Sequence, residues 1–349
     1  MSAATEIRSR LDIGRERWDA FVNENDEAWL WHRWDLIEAL AIWPGYEDAS
    51  FALVDELGTL LALMPMHRVV TRVAGVMPIV RLMSLGGPAC ATTSKREFIV
   101  SELHNHLLQL MADNNAMAIE VQIGALTPYL RGSGAPKDNP LVVAGFENNQ
   151  TETWMVDLKR SPDEIRRGYS ELTRRELRKA SRSEIRLREA AGSKDLEIYY
   201  RLHLETYART GAAPHPLAYF QAIFEKFQPV GLARILFAER RGDAVAAQNT
   251  GRYKAGAIYW TGASISNKEG GENRLLFDAQ IISSRDDGFT HYETGQAFVN
   301  STNSKERGLS RFKQSFGADL QPYYRGALYS RRPSARVMKG LQAIWSAGP

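Results

Sequence analysis

Short apolar runs separated by polar turns recur along this chain, and they recur in one order twice. Phe51-Ala-Leu-Val-Asp-Glu-Leu-Gly58 leads into Leu60-Leu-Ala-Leu-Met-Pro65, which predicts two strands joined as a hairpin. Ala233-Arg-Ile-Leu-Phe-Ala-Glu-Arg-Arg-Gly-Asp243 leads likewise into Ala244-Val-Ala-Ala-Gln-Asn-Thr250. Behind each hairpin the period lengthens to that of a helix. Leu103, Leu107, Leu110 and Met111 share a face over 101–115, and Leu275, Leu276, Ala279 and Ile282 over 272–287. Each helix precedes an apolar strand with a carboxylate, 117–123 with Glu120 and 289–293 with Glu293. This order predicts two α+β domains on mixed sheets. It excludes a doubly wound dinucleotide fold, and neither GxGxxG nor GxxxxGK[ST] occurs. A polar stretch over 132–150 sets the expected domains at 1–150 and 151–330, a strand over 153–158 opening the second. A tail, 331–349, carries a short helix over 335–345.

With 349 residues, 44% hydrophobic and 24% charged, the chain is long enough for two cores. Cys90 stands alone, and the seven histidines show no metal-ligand spacing with it. The first ten residues lack the apolar region of a signal peptide, and no apolar run is long enough to cross a bilayer. These features point to the cytoplasm. The net charge of +3 hides an uneven distribution: residues 159–188 hold eleven Lys or Arg against five Asp or Glu. Ser161-Pro-Asp-Glu164 reads as a helix start, with a Ser cap, Pro at the first position and Glu completing a capping box. The helix expected from there carries Arg167, Arg174, Arg175, Arg178, Lys179 and Arg182 at spacings of three and four. Two readings stand side by side: contact with phosphates, or a solvated face with Glu171 and Glu176 as ion-pair partners.

Further motifs lie around this helix. In order they are Asp157-Leu158 at a strand end, Thr206-x-x-Arg209-x-Gly211, Tyr219-Phe220, Tyr259 with a turn near Gly262, Tyr292-Glu293-x-Gly295 and Phe312-Lys313-x-x-Phe316-Gly317. Over about residues 10–330 this order resembles the Fem-type aminoacyltransferases and the broader tandem GNAT acyltransferases. The resemblance implies two tandem GNAT-like domains with mixed, mainly antiparallel sheets flanked by helices. It also implies transfer of an acyl or aminoacyl group to an amine. In Fem-type members the donor is an aminoacyl-tRNA and the acceptor often a peptidoglycan precursor, whereas other tandem members use acyl-CoA. This chain departs from the pattern. It has no long helical-hairpin insertion between Leu158 and Ala233, it has Glu293 where related sequences often show Asp, and it places His215 between Pro214 and Pro216. These departures point away from a cell-wall acceptor.

Amide formation needs a neutral amine, a route for its proton and donors facing the developing oxyanion. Glu293 and Tyr292 are the candidate acid–base groups, with a structural carboxylate as the alternative for Glu293. Lys313 suits a donor phosphate or the oxyanion. Phe312 either stacks on the donor's adenine or packs beside Phe316 on one helical face. Arg174, Arg175, Arg178 and Lys179 are the candidate contacts to a nucleic-acid donor, joined by Lys268, Gly270 and Gly271 ahead of the helix at 272. That loop keeps only part of the Q/R-x-x-G-x-G/A form that binds CoA pyrophosphate, with Asn267 in first place. Arg209, His215 and Arg68 are the candidate acceptor contacts. Arg209 has an ion pair with Glu205 as its alternative, and His215 a plain loop position. Arg68, Arg72 and Arg81 flank the Gly86-Gly87-Pro88 turn, whereas Trp29, Trp31, Trp34 and Trp43 read as packing. The expected activity is aminoacyl transfer from tRNA to a small or peptide-like amine, without a resident cofactor or metal. Acyl-CoA transfer to an amino sugar or lipid precursor, or a non-catalytic RNA- or partner-binding role, are the alternatives. Glu120 has no matching Phe-Lys turn behind it, so one active site is expected, in the second domain.

Overall fold

The computed structural model describes residues 5–73, 77–93, 95–132, 135–266 and 270–331. They divide into two units, one comprising the described residues up to Thr151 with those from Pro322 onward, the other Glu152–Gln321. The tail helix expected over 335–345 lies outside the described residues.

In the first unit β1 (Thr5–Ser9), α1 (Arg15–Glu24) and α2 (Trp34–Ala41) precede the expected hairpin, β2 (Phe51–Asp55) and β3 (Leu60–Met64), which pairs Phe51 with Met64. A second hairpin, β4 (His67–Val73) and β5 (Met77–Ser84), leads to α3 (Arg96–Asp113) and β6 (Ala118–Ile123). The helical period anticipated α3 but missed its first turn. β5 and β6 run parallel, Arg81 opposite Ala118 through Ser84 opposite Val121. Phe51, Leu82, Leu103, Leu107 and Ile119 form part of one core, so the apolar stripe of α3 is what holds the helix on the sheet. Trp29 and Trp34 are buried, as their packing role predicts.

The second unit begins inside β7 (Thr151–Asp157), at Glu152, then come α4 (Pro162–Gly168), α5 (Glu171–Ala180), β8 (Ile185–Glu189), α6 (Ser193–Thr210) and α7 (Leu217–Ala222). β9 (Ala233–Arg240), β10 (Asp243–Tyr253) and β11 (Gly256–Ser264) follow as an antiparallel meander, then α8 (Glu272–Asp286), β12 (His291–Ala297) and α9 (Ser304–Gln314). The sheet order is β8-β9-β10-β11-β12-β7, antiparallel except where β11 meets β12. Each unit thus holds a parallel strand pair bridged by one helix, and both Glu120 and Glu293 sit on the second strand of that pair. The duplicated pattern therefore corresponds to a duplicated architecture.

The last strand, β13 (Asp319–Tyr329), pairs antiparallel with β6, Tyr324 opposite Ile123 and Tyr329 opposite Ala118. Residues 322–330, expected in the second domain, therefore belong with the first unit. This pairing spans some 200 residues of sequence, beyond the reach of any local pattern.

The basic helix expected from Ser161 is two helices. Ser161 caps α4 in the predicted way: its hydroxyl accepts from Glu164 N–H, and Glu164 accepts from Ser161 N–H. The chain then turns at Tyr169, and Ser170 caps α5 anew by accepting from Thr173 N–H. Burial of Tyr169 drives the break. Its ring packs edge-on against Phe316 at 5.4 Å, and Ser170 N–H donates to Ser315 O. Gly317 (φ +68°) lies so close that a Cβ there would come 2.9 Å from Gly168 C and O. Gly317→Ala should therefore cost about 2–4 kcal/mol, combining a left-handed backbone with a clash against main chain that cannot move aside. Chemical denaturation of parent and variant measures this directly.

Candidate active site

Three pairs join β11 to β12, ending with Ile258 opposite Glu293, although β11 continues to Ser264 and β12 to Ala297. The strands part there. On β10, Asn249 pairs with Thr261 and Thr250 with Tyr259, so Trp260 is an extra residue that bulges β11 at the same level. Alternation along the strands places Asn249, Thr261 and Glu293 on one face, and Thr250, Tyr259 and Tyr292 on the other.

Glu293 is 3% exposed, and its carboxylate accepts a 2.8 Å hydrogen bond from Thr153 Oγ1. Lys313 on α9 is 7% exposed; its ammonium donates to Gln296 O at 3.2 Å and lies 5.8 Å from the Phe298 ring. Burial pushes the Lys313 ammonium down to about 8, with the Glu293 charge opposing the shift. Gly295 (φ +103°) makes room for it, since a Cβ there would fall 2.9 Å from Lys313 Nζ. The spacing Glu293-x-Gly295 with Lys313 thus holds one carboxylate, one gap and one cation together.

The neighbouring candidates have different surroundings. The Tyr292 hydroxyl is inside the core, receiving a 2.7 Å bond from Gln248 Nε2 and lying 3.0 Å from Thr250 Oγ1. Burial pushes that phenol up. Phe316 is fully buried and Phe312 half-buried, both packed on Phe277, so the helical-face reading describes them. The Arg274 guanidinium, 5.3 Å over the Phe312 ring, covers one face of that residue.

The cations divide by task. Arg174 turns back to donate to Arg167 O and Tyr169 O, closing the break between α4 and α5. Arg175 reaches Glu176 at 3.4 Å, and Arg178, Lys179 and Arg182 are exposed. The end of α5 abuts the start of α8, because a Cβ on Gly271 (φ +102°) would meet Ala180 Cβ at 2.9 Å. Lys268 lies outside the described residues. Gly270 (φ +73°) and Gly271 lead into α8, whose first residue, Glu272, is buried and ion-paired with Arg240. That helix start already carries a carboxylate, the group its dipole favours.

Arg209 donates to Ser264 O at 3.1 Å, and Thr206 Oγ1 both donates to Ser264 O and accepts from Ser264 N–H. The Thr206-x-x-Arg209 motif thus clamps the end of β11, and Glu205 accepts from Ser266 N–H. His215 is a half-buried residue, not a plain loop histidine: its backbone N–H donates to His203 Nε2 at 3.0 Å, and its ring lies 5.0 Å from that of His203. Burial holds both imidazoles down to about 4. Above pH 6.5 they are neutral whether folded or unfolded. As pH falls from there toward 4, the unfolded chain takes up protons that the folded chain refuses, so stability drops. The melting temperature should fall by on the order of 5 °C between pH 7 and 4.5, and His203→Phe should flatten the decline. In the first unit Arg68 pairs with Glu47 at 2.9 Å and Arg81 with Glu120 at 3.4 Å.

Two residues here escaped the sequence reading. Asn249 is 1% exposed, and neither its amide oxygen nor its nitrogen makes a hydrogen bond among the described residues. A buried amide left open on the Glu293 face is a vacant donor and acceptor. Arg274, half-buried, has a free Nε among the described residues. Its signal was available, an arginine in the first turn after a glycine pair.

Residues 168–313 match the family described as "Acetyltransferase (GNAT) domain". A comparison with curated protein sequences finds no match. Among solved structures, FemX is 14% identical, covering 96% of this chain and 100% of its own with a TM-score of 0.71. L-PGS from Bacillus licheniformis is 16% identical over 93% of this chain and 95% of its own, with a TM-score of 0.56. A tandem GNAT protein from the clavulanic acid biosynthesis pathway is 12% identical over 93% and 98%, also at 0.56. The fold is that of tandem GNAT proteins, and the second unit contains the matched domain. No helix among the described residues is long and apolar enough to cross a membrane.

Proposed function

We propose that this chain, an acyltransferase of the GNAT superfamily in the Fem-type tandem arrangement, moves an aminoacyl group from a charged tRNA to the amine of a small or peptide-like acceptor. The observation that carries the reading is the buried Glu293 beside the Lys313 ammonium where β11 and β12 part. Glu293, fixed by Thr153, takes the proton of the attacking amine. The new C–N bond then places negative charge on the acyl oxygen, which the Lys313 ammonium neutralises in a site with little water to compete. As the ester C–O bond breaks, the proton passes to the departing ribose oxygen, and the products are an amide and a free tRNA end.

The donor choice rests on the surroundings. Arg175, Arg178 and Lys179 on α5 and Arg182 just beyond it are exposed near the start of α8, a surface suited to a phosphate backbone. Glu272 at the first position of α8 weighs against a pyrophosphate bound there. Arg274, over the Phe312 ring, then adds a cation beside the helix that carries Lys313.

The test is transfer of a labelled amino acid from charged tRNA to candidate amines. Product should form, RNase pretreatment should abolish it, and acetyl-CoA should not substitute. Transfer that survives RNase would overturn the tRNA donor, and saturable acetyl-CoA turnover in its place would establish the thioester alternative.

A further inference from the structure

A cavity of about 670 Å³ lies inside the first unit, in no part of the chemistry assigned to Glu293 and Lys313. It lies between α3, which supplies Leu103, His104 and Leu107, and the 140–146 segment, which supplies Leu141, Val143 and Phe146. Its volume falls within the roughly 300–1,000 Å³ of small-molecule sites. Leu103, Leu107, Leu141 and Phe146 are buried core residues, so the wall is apolar. The charges around it are balanced: Arg96 is ion-paired with Glu27, and exposed Lys137 is followed by exposed Asp138. An ionic ligand therefore finds no net counter-charge. A sugar or nucleotide would leave many polar groups unmatched against this wall.

One polar atom of a wall residue lacks a partner. His104 Nδ1 is buried without a hydrogen bond among the described residues. The ring sits over Gly145 (φ +88°), where a Cβ would approach His104 Cε1 to 3.2 Å. At the mouth, Val143 is 86% and its neighbour Val142 46% exposed, so the apolar lining continues outward onto the surface. An apolar interior, an unpartnered ring nitrogen in its wall and an apolar threshold fit one kind of occupant. We propose that this cavity binds a single aliphatic chain ending in an uncharged hydrogen-bonding group, such as an alcohol or ester, with His104 Nδ1 meeting that group.

Titration calorimetry of the full chain with 1-decanol at two temperatures tests this, with decanoate and 2-naphthol as comparators. Saturable one-to-one binding of decanol with a negative heat-capacity change is expected, stronger than for either comparator. Val100→Trp, which fills the cavity from a half-buried wall position, should weaken decanol at least tenfold. His104→Phe, which keeps the ring shape but removes Nδ1, should weaken it several-fold. If Val100→Trp disturbs folding in a thermal melt, the His104→Phe comparison decides. No saturable decanol binding overturns the proposal. So does tighter binding of 2-naphthol or decanoate, or equal affinity in the parent and both well-folded variants.

Discussion

Lys313→Met is expected to lower turnover about 10²–10³-fold, the scale of removing one group that meets a developing oxyanion. The fold should tolerate it, because two changes oppose each other. A desolvated ammonium disappears, which favours the folded state, while Glu293 loses the charge beside it. The pH profile separates this role from packing. With the ammonium held near 8, the parent's rate should fall as pH rises through about 8. Lys313→Arg, whose guanidinium keeps its proton, should remove that limb even if its rate is lower. Single-turnover rates between pH 6 and 10 give the answer; a rate that climbs through pH 8 means the neutral amine is the working form, and the assigned role fails.

Glu293→Gln should cost about 10²–10⁴-fold in turnover, the range for loss of a positioned acid–base group. The amide oxygen can still accept from Thr153 Oγ1, so the melting temperature should hold within a few degrees. A second effect has a definite sign. Glu293 raises the Lys313 ammonium, so the neutral amide should move the alkaline limb to lower pH than in the parent. Unchanged turnover in this variant makes Glu293 a structural carboxylate.

These residues were legible in the sequence because their signals are short-range. Glu293-x-Gly295 and Phe312-Lys313 lie within about twenty residues of each other, and the apolar period of α8 ends just before the strand that carries the first of them. The hairpins and α3 were legible for the same reason. The break between α4 and α5 was not, since both flanks favour helix and the cause, Tyr169 against Phe316, lies some 150 residues away. Asn249 was invisible for a different reason: an amide beside Gln248 and Thr250 in a strand signals nothing until its neighbours are seen to leave it open. The partners of Arg209 and His215 were not legible, because Ser264 and His203 reach them through tertiary packing.

The return of β13 to β6 sets the order of events at the ribosome. The second unit is one unbroken stretch, Glu152–Gln321, whereas the final strand of the first follows it in the sequence. Synthesis ordinarily lets the amino-terminal domain fold first. Here the nascent chain carries β6 with its β13 edge unpaired until the whole second unit has been made. A stop codon anywhere before residue 322 would leave that edge open permanently, which exposes the polypeptide to strand-edge aggregation rather than to simple loss of a tail.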